Sequence, residues 1–147
     1  MDHEKYSEGV CPIGRALAQV GDAWSLMILR DAGAGRTRFD QFRTSLGIAP
    51  NILTRRLVAL TEAGLLEKRR YSERPPRDDY VITAKGRDFL PILMAIGAWG
   101  AKHCDGGALS HAVDAETGAP IEAVVVDRAS GRALSEIAIR VVVPEGV

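Results

Sequence analysis

The sequence predicts a mainly α-helical domain carrying a small β-hairpin, followed by a small antiparallel β appendage. Three observations predict it. Apolar residues recur at helical spacing in successive stretches up to residue 103, two short β-prone runs flank a proline-containing breaker, and valine-rich runs alternate with Asp-to-Gly turns after residue 103. The chain has 147 residues, 46% apolar and 26% charged, values ordinary for a globular protein and unlike a disordered or fibrous one. Cys11 and Cys104 are too few for a disulfide scaffold. The longest apolar run, Phe89 to Ala101, is 13 residues, well short of the ~20 that span a membrane. The opening Met1-Asp2-His3-Glu4-Lys5 is polar and lacks the apolar core of a secretion signal. The expectation is a soluble, cytoplasmic protein.

The elements follow in order. Ile13, Ala16, Leu17 and Val20 share one helical face from Pro12 to Val20, with Gly21 as a stop. Asp22 caps a second helix, in which Trp24, Met27, Ile28 and Leu29 are expected to face inward, and Gly33 and Gly35 end it. A third helix is expected from Thr37, with Asp40 as its capping-box partner, a stripe of Phe39, Phe42 and Leu46, and Gly47 as a left-handed stop. Pro50 opens a fourth helix, about Pro50–Ala63, with the stripe Leu53, Leu57, Leu60 and Gly64 as its stop. Two amphipathic helices joined by Gly47-Ile48-Ala49 form a helix-turn-helix.

Leu65 to Tyr71 and Tyr80 to Thr83 are β-prone and flank the breaker Ser72 to Arg77 with Pro75-Pro76, so a hairpin follows the helix-turn-helix directly. Such a hairpin, about Leu66–Thr83, is a wing. Thr83 can cap a last helix reaching about His103, with Pro91 as an expected kink. Its apolar residues exceed what one helix hides against so small a body, and a partner helix from a second chain would cover them. Residues 104–147 repeat Asp114-to-Gly118 and Asp127-to-Gly131 at a period of 13, each followed by β-prone residues. About three antiparallel strands are expected there.

Nineteen basic and nineteen acidic side chains balance over the chain, but not along it. Residues 1–35 carry net −2, residues 36–87 net +6 and residues 88–147 net −4. A basic block lying on the helix-turn-helix and wing is the footprint of a polyanion-binding surface.

Cys11-Pro12, Gly21-Asp22-Ala23-Trp24, Arg38-Phe39-Asp40-Gln41-Phe42, Gly47-Ile48, Leu53-Thr54-Arg55-Arg56-Leu57, Gly64-Leu65, Pro75-Pro76-Arg77-Asp78-Asp79-Tyr80, Thr83-Ala84-Lys85-Gly86 and Trp99 stand in an order that resembles the HxlR-type winged helix-turn-helix regulators. The resemblance covers roughly residues 8–103 and leaves 104–147 as a β-rich extension. It implies a bacterial transcription regulator that binds double-stranded DNA as a homodimer. Two departures stand out. Ala49 replaces the Ser that usually caps the recognition helix, which costs about 1 kcal/mol of capping, and Asp78-Asp79-Tyr80 stands where Val-Glu-Tyr is common. The cysteine pairs that some members carry in a C-terminal extension are absent here.

With the leucine stripe facing the core, Asn51, Arg55, Val58 and Glu62 point away from it, flanked by Thr54 and Arg56. The N-terminal half of a recognition helix reads bases, which favours Asn51, Thr54 and Arg55. Arg38 and Arg43 on the preceding helix suit phosphates, and Arg74 and Arg77 sit at the wing, where Arg favours a narrow minor groove. Arg69 and Arg70 alternate on a strand, so one of them at most faces DNA. Leu93, Ile96 and Trp99 are the expected anchors of a dimer.

Cys11 precedes Pro12 at a helix start, where the dipole favours a thiolate, and some relatives use a cysteine there as a redox sensor. A packed, inert thiol is the competing reading. His103, Cys104 and His111 offer three irregularly spaced ligands where a structural zinc site wants four, so no metal and no cofactor is expected. No phosphate-binding glycine loop or nucleophile elbow occurs, and Asp78-Asp79 on a wing strand make a poor catalytic pair, so an enzyme is not expected. Two competing functions remain: a winged helix used for protein assembly, and a redox or small-molecule sensor whose tail binds an unidentified effector.

Overall fold

The computed structural model describes residues 7–146. It contains α1 (Pro12–Val20), α2 (Ala23–Gly33), α3 (Phe39–Leu46), α4 (Pro50–Glu62), β1 (Leu66–Glu73), β2 (Pro76–Ile82) and α5 (Ala84–His103). The chain divides into two units, Met1–Leu90 and Pro91–Val147. The division falls inside α5, which continues as helix across Pro91.

In the first unit the stripes read from the sequence converge. Ile28, Leu29, Phe42, Leu53, Leu57 and Leu60 are fully buried, and Ile48, Leu65, Leu66 and Ile82 close the core around them. Each such side chain contributes about 1.5–3 kcal/mol on leaving water. Met27, expected inside, is exposed, and Trp24 is only half-buried. Residue 27 lies about a third of a helical turn from Ile28, beyond the edge of the buried stripe.

The caps explain the boundaries. Cys11 Sγ accepts from Gly14 N at 3.5 Å. Asp22 accepts from Ser25 N at 2.9 Å and from the Ser25 hydroxyl at 2.6 Å. The start of α3 differs from expectation: Gln41, not Asp40, reaches back, its Oε1 accepting from Thr37 N (3.0 Å) and Arg38 N (3.1 Å). The helix therefore begins at Phe39, because Thr37 and Arg38 are extended and pair with β2 through Tyr80 N to Thr37 O (2.7 Å) and an Arg38–Asp79 bridge. Gly47 is left-handed at φ 61°, as a helix stop there requires. Ala49 caps α4 without any side-chain bond.

β1 and β2 pair antiparallel from Leu66↔Ile82 to Glu73↔Pro76, with a bulge between Arg70 and Ser72 and Arg74-Pro75 at the turn. Thr83 ties the sheet to α5: its hydroxyl donates to Gly64 O at 2.6 Å and accepts from Gly86 N at 3.1 Å. Gly86 is obligatory here, since a Cβ would strike the Leu65 carbonyl and come within 2.7 Å of Ile82 Cγ1.

The second unit follows other rules. The three strands expected after residue 103 are not formed among the described residues. The antiparallel pairing is confined to two bridges, Val113↔Pro120 and Val126↔Ala133, with a short 3₁₀ turn at Leu134–Glu136. The 13-residue repeat survives in three dimensions. Asp114 N donates to Ala119 O as Asp127 N does to Arg132 O, and Ile121 N donates to Ala112 O as Leu134 N does to Val125 O. In both turns the glycine, Gly118 or Gly131, is left-handed, and the leading aspartate accepts backbone N–H bonds within its own turn.

Candidate nucleic-acid interface

The basic block resolves into two classes of side chain. In the first, the charge is already met within the protein. Arg36 lies 3.6 Å from Asp31, which Arg30, just ahead of the block, also holds at 2.7 Å. Arg38 lies 4.5 Å over the Tyr71 ring and 3.6 Å from Asp79. Arg56 turns back to Asp22 at 3.4 Å, and its Nε is buried without a partner. On the wing, Arg69 holds Glu67 at 2.9 Å, while Arg70 holds Asp78 at 2.8 Å and Glu73 at 3.4 Å. These contacts keep the Glu67 and Asp78 carboxyls below the usual carboxylate range, chiefly through the hydrogen bonds from Arg69 and Arg70 respectively.

The second class is Arg43 on α3, Arg55 on α4, Arg74 and Arg77 at the wing turn, and Arg87 on α5. All five are exposed, and none has an ion-pair partner among the described residues. Asn51 and Thr54 are exposed on the same side of α4 as Arg55, and the Thr54 hydroxyl donates to Pro50 O at 2.9 Å. Val58 and Glu62 continue that exposed face. Of the side chains singled out from the sequence, Arg38 (side chain 56% exposed) pairs with Asp79 on the wing and Arg56 (39% exposed) pairs with Asp22 at the start of α2, and both still face solvent. Their partners lie 41 and 34 residues away in sequence, out of reach of local pattern.

Two further positioning groups were missed. Lys85 Nζ donates to Ala63 O (2.6 Å) and to Gln19 Oε1 (2.9 Å), so one ammonium satisfies the C-terminal end of α4 and joins it to α1. A cation at a helix C-terminus is favourable for the same reason as any charge opposite the helix dipole. Asp31 is 1% exposed, and its backbone oxygen accepts from Arg36 N, bracing the turn into α3. An acid in the last turn of a helix, against the dipole, was the one available hint.

The remaining candidates fall out as follows. Asp78 and Asp79 belong to separate ion-pair sets, Arg70 with Lys68 on one side and Arg38 with the Thr37 hydroxyl on the other, so they form no carboxylate dyad. His103, Cys104 and His111 form no metal-ligating group among the described residues. An open depression of about 440 Å³ runs along α3, lined by Arg36, Asp40, Gln41, Thr44 and Ser45. Cys11 and Cys104 are exposed free thiols in the single chain. On α5, Ile96 and Trp99 are exposed and Leu93 half-buried, with the Trp99 ring 5.2 Å from that of His103. No helix among the described residues is long and apolar enough to cross a membrane.

A winged helix-turn-helix with these sequence motifs can be set against known proteins. Residues 19–107 match the model of the HxlR-like helix-turn-helix family. The chain belongs to that family. An HTH-type transcriptional regulator of Mycobacterium bovis is 42% identical over 88 residues, 60% of this chain and 56% of that protein, so the HxlR-like chain spans little more than half the length of the curated relatives it matches first. A solved structure of a candidate transcription factor is 36% identical, with a TM-score of 0.83 over 94% of this chain and 98% of its own. The redox regulator HypR in its reduced form is 28% identical, with a TM-score of 0.61 over 65% of this chain and 95% of its own. The curated relative carries the description of an HTH-type transcriptional regulator, and the solved structure that of a candidate transcription factor.

Proposed function

We propose that the protein is a sequence-specific DNA-binding transcription regulator acting as a homodimer on double-stranded DNA. Helix α4 enters the major groove, and the wing lies on the flanking backbone or minor groove. One observation carries the reading: of the five arginines of the basic block left without an ion pair, Arg87 is on α5 and the other four, Arg43, Arg55, Arg74 and Arg77, lie on α3, α4 and the wing turn. Those are the elements that a winged helix presents to a duplex. Arg55 and Asn51, with Thr54, are the base-reading candidates, since Arg matches guanine O6/N7 and Asn matches adenine N6/N7. Arg43, Arg74 and Arg77 are assigned to phosphates and the minor groove. Arg38 and Arg56 face solvent from within their ion pairs and join the same DNA-facing set. Dimerisation is assigned to the N-terminal segment and α5, with Leu93, Ile96 and Trp99 as anchors, spacing the two α4 helices about one duplex turn apart, ~34 Å.

Binding of the full chain to DNA from its own locus, by gel shift or fluorescence anisotropy across a salt series, tests the reading. Arg55→Ala should relax base preference at one position per half-site and cost about 1–3 kcal/mol. Arg74→Ala should weaken all sequences alike and flatten the salt slope by about one unit per half-site. Salt-independent or absent binding would favour a winged helix used for protein assembly. An operator without dyad symmetry would count against the homodimer.

A second reading rests on the exposure of Cys11 and on the likeness to a redox regulator. Under it, diamide or peroxide lowers operator binding, thiol reductant restores it, and Cys11→Ser no longer responds. Equal responses in wild type and Cys11→Ser would remove it.

A further inference from the structure

Arg38 differs from the other arginines of the basic block in how it is held. Its Cζ lies 4.5 Å over the centroid of the Tyr71 ring, the single guanidinium stacked on an aromatic among the described residues. Its Nε lies 3.6 Å from Asp79 Oδ1, an oxygen that also accepts from the Thr37 hydroxyl at 3.3 Å. Yet none of its side-chain N–H groups makes a hydrogen bond among the described residues. Arg69 and Arg70, on the same wing, spend theirs on Glu67 at 2.9 Å and Asp78 at 2.8 Å. Tyr71 is the bulged residue of β1: Arg70 pairs with Asp78 and Ser72 with Arg77, which leaves Tyr71 without a partner across the ladder. A bulge re-aims the side chain that it carries.

We propose that Tyr71 is a positioning residue for DNA binding, its ring holding the Arg38 guanidinium so that the in-plane N–H groups take a backbone phosphate of the duplex. The inference rests on the DNA-binding reading and adds to it a residue outside the basic set. Stacking occupies the face of a guanidinium, whereas its hydrogen bonds lie in the plane. The ring therefore fixes the plane and leaves the donors for a bidentate partner such as a phosphate. Asp79 orients the same group without neutralising it, since an exposed pair at this separation is weak. The backbone of Arg38 is fixed as well: its N donates to Gln41 Oε1 at 3.1 Å, and the residue bridges to Asp79. It stands immediately before α3, and the first helix of a helix-turn-helix crosses the DNA backbone. A free arginine gives up rotamer freedom on meeting a phosphate, and a stacked one has given up part of it on folding.

A double-mutant cycle in the full chain tests this, read by fluorescence anisotropy on duplex DNA from its own locus across a salt series. Arg38→Ala should weaken binding and flatten the salt slope by about one unit per half-site. Tyr71→Leu should weaken binding about 2–5-fold per half-site, as for loss of an exposed cation–π contact. Tyr71→Phe keeps the ring and should bind within about twofold of wild type. In the Arg38→Ala background, Tyr71→Leu should change nothing further. A ring that merely props the wing would cost the same in both backgrounds, and that result overturns the proposal. So does a Tyr71→Phe loss as large as that of Tyr71→Leu, which would assign the effect to the hydroxyl. An unchanged salt slope in Arg38→Ala, or wild-type affinity in Tyr71→Leu, overturns it too. If the wild-type chain binds no duplex, the DNA-binding reading falls together with this one. If it binds and Arg55→Ala weakens it while the cycle shows no coupling, only the role of Tyr71 falls.

Discussion

The second unit is the richer of the two in apolar residues, yet only the first buries them. In the winged helix, Leu53, Leu57 and Leu60 recur at helical spacing, meet Phe42, Ile28 and Leu29, and disappear from solvent. In the tail, Val124-Val125-Val126 and Val141-Val142-Val143 are consecutive, and every one of them is exposed. Consecutive residues on an extended chain point to alternate sides, so no single face becomes apolar enough to bury. Two isolated bridges also fall short of the three or so strands that make a sheet stable by itself. What orders the tail is the turn: an aspartate, its N–H partners and a left-handed glycine, used twice at the same spacing. Apolar content therefore builds a core only where its spacing gives one face, and hydrogen-bonded turns can repeat without one.

The contrast can be broken most directly by truncating one side chain in each unit. Leu57→Ala should cost about 2–5 kcal/mol in chemical unfolding, as for any fully buried leucine. Val125→Ala, in the tail, should leave the unfolding midpoint almost unmoved. Comparable losses would mean that the tail has a core. Next in size, Gly86→Ala should cost about 1–3 kcal/mol by overpacking against Leu65 and Ile82. A Tm equal to wild type would show that the junction between wing and α5 is loose.

Acid sharpens the comparison from the other side. Hydrogen bonds from Ser130, side chain first, hold the Asp127 carboxyl below its ordinary range, and backbone N–H groups of Thr117 and Glu116 do the same for Asp114. A depressed carboxyl contributes order that is present above the unfolded value of ~3.9 and lost as pH falls through the lower folded value. The tail turns should therefore open below about pH 4, seen as faster amide exchange at Thr117 and Ser130, and Asp127→Asn should lose the pH dependence at Ser130. Protection that does not change down to pH 2.5 would refute this. The smallest effect is a gain: Ala49→Ser adds the missing cap of α4 and should raise stability by about 0.5–1 kcal/mol. No gain would mean that the chain before Pro50 cannot present a serine oxygen to the first turn.

Much of the first unit is legible in the sequence because its signals are local. Pro50 and the leucine stripe placed α4 within one residue of its observed end, and the pair of β-prone runs about Pro75-Pro76 placed the wing. Caps written within four residues, such as Asp22 to Ser25 and Thr83 to Gly86, were also readable. The start of α3 was misplaced because Thr37 and Arg38 answer to β2, some 40 residues downstream. The tail strands were expected from β propensity, which needs neighbours to act, and none of the described residues supplies them.

By itself, the sequence determined the helix-turn-helix, the wing, the family and the location of the basic block, all consequences of periodicity, breakers and charge along the chain. Only the tertiary structure decided which of those charges remain free. Arg38 and Arg56 look no different from Arg43 and Arg55 in sequence. Folding brings Asp79 and the Tyr71 ring to the first of them and Asp22 to the second, and leaves the other two without an ion-pair partner. The physical reason is distance: a Coulombic or hydrogen-bonding partner acts over a few ångströms in space, and those few ångströms correspond here to more than 30 residues of chain.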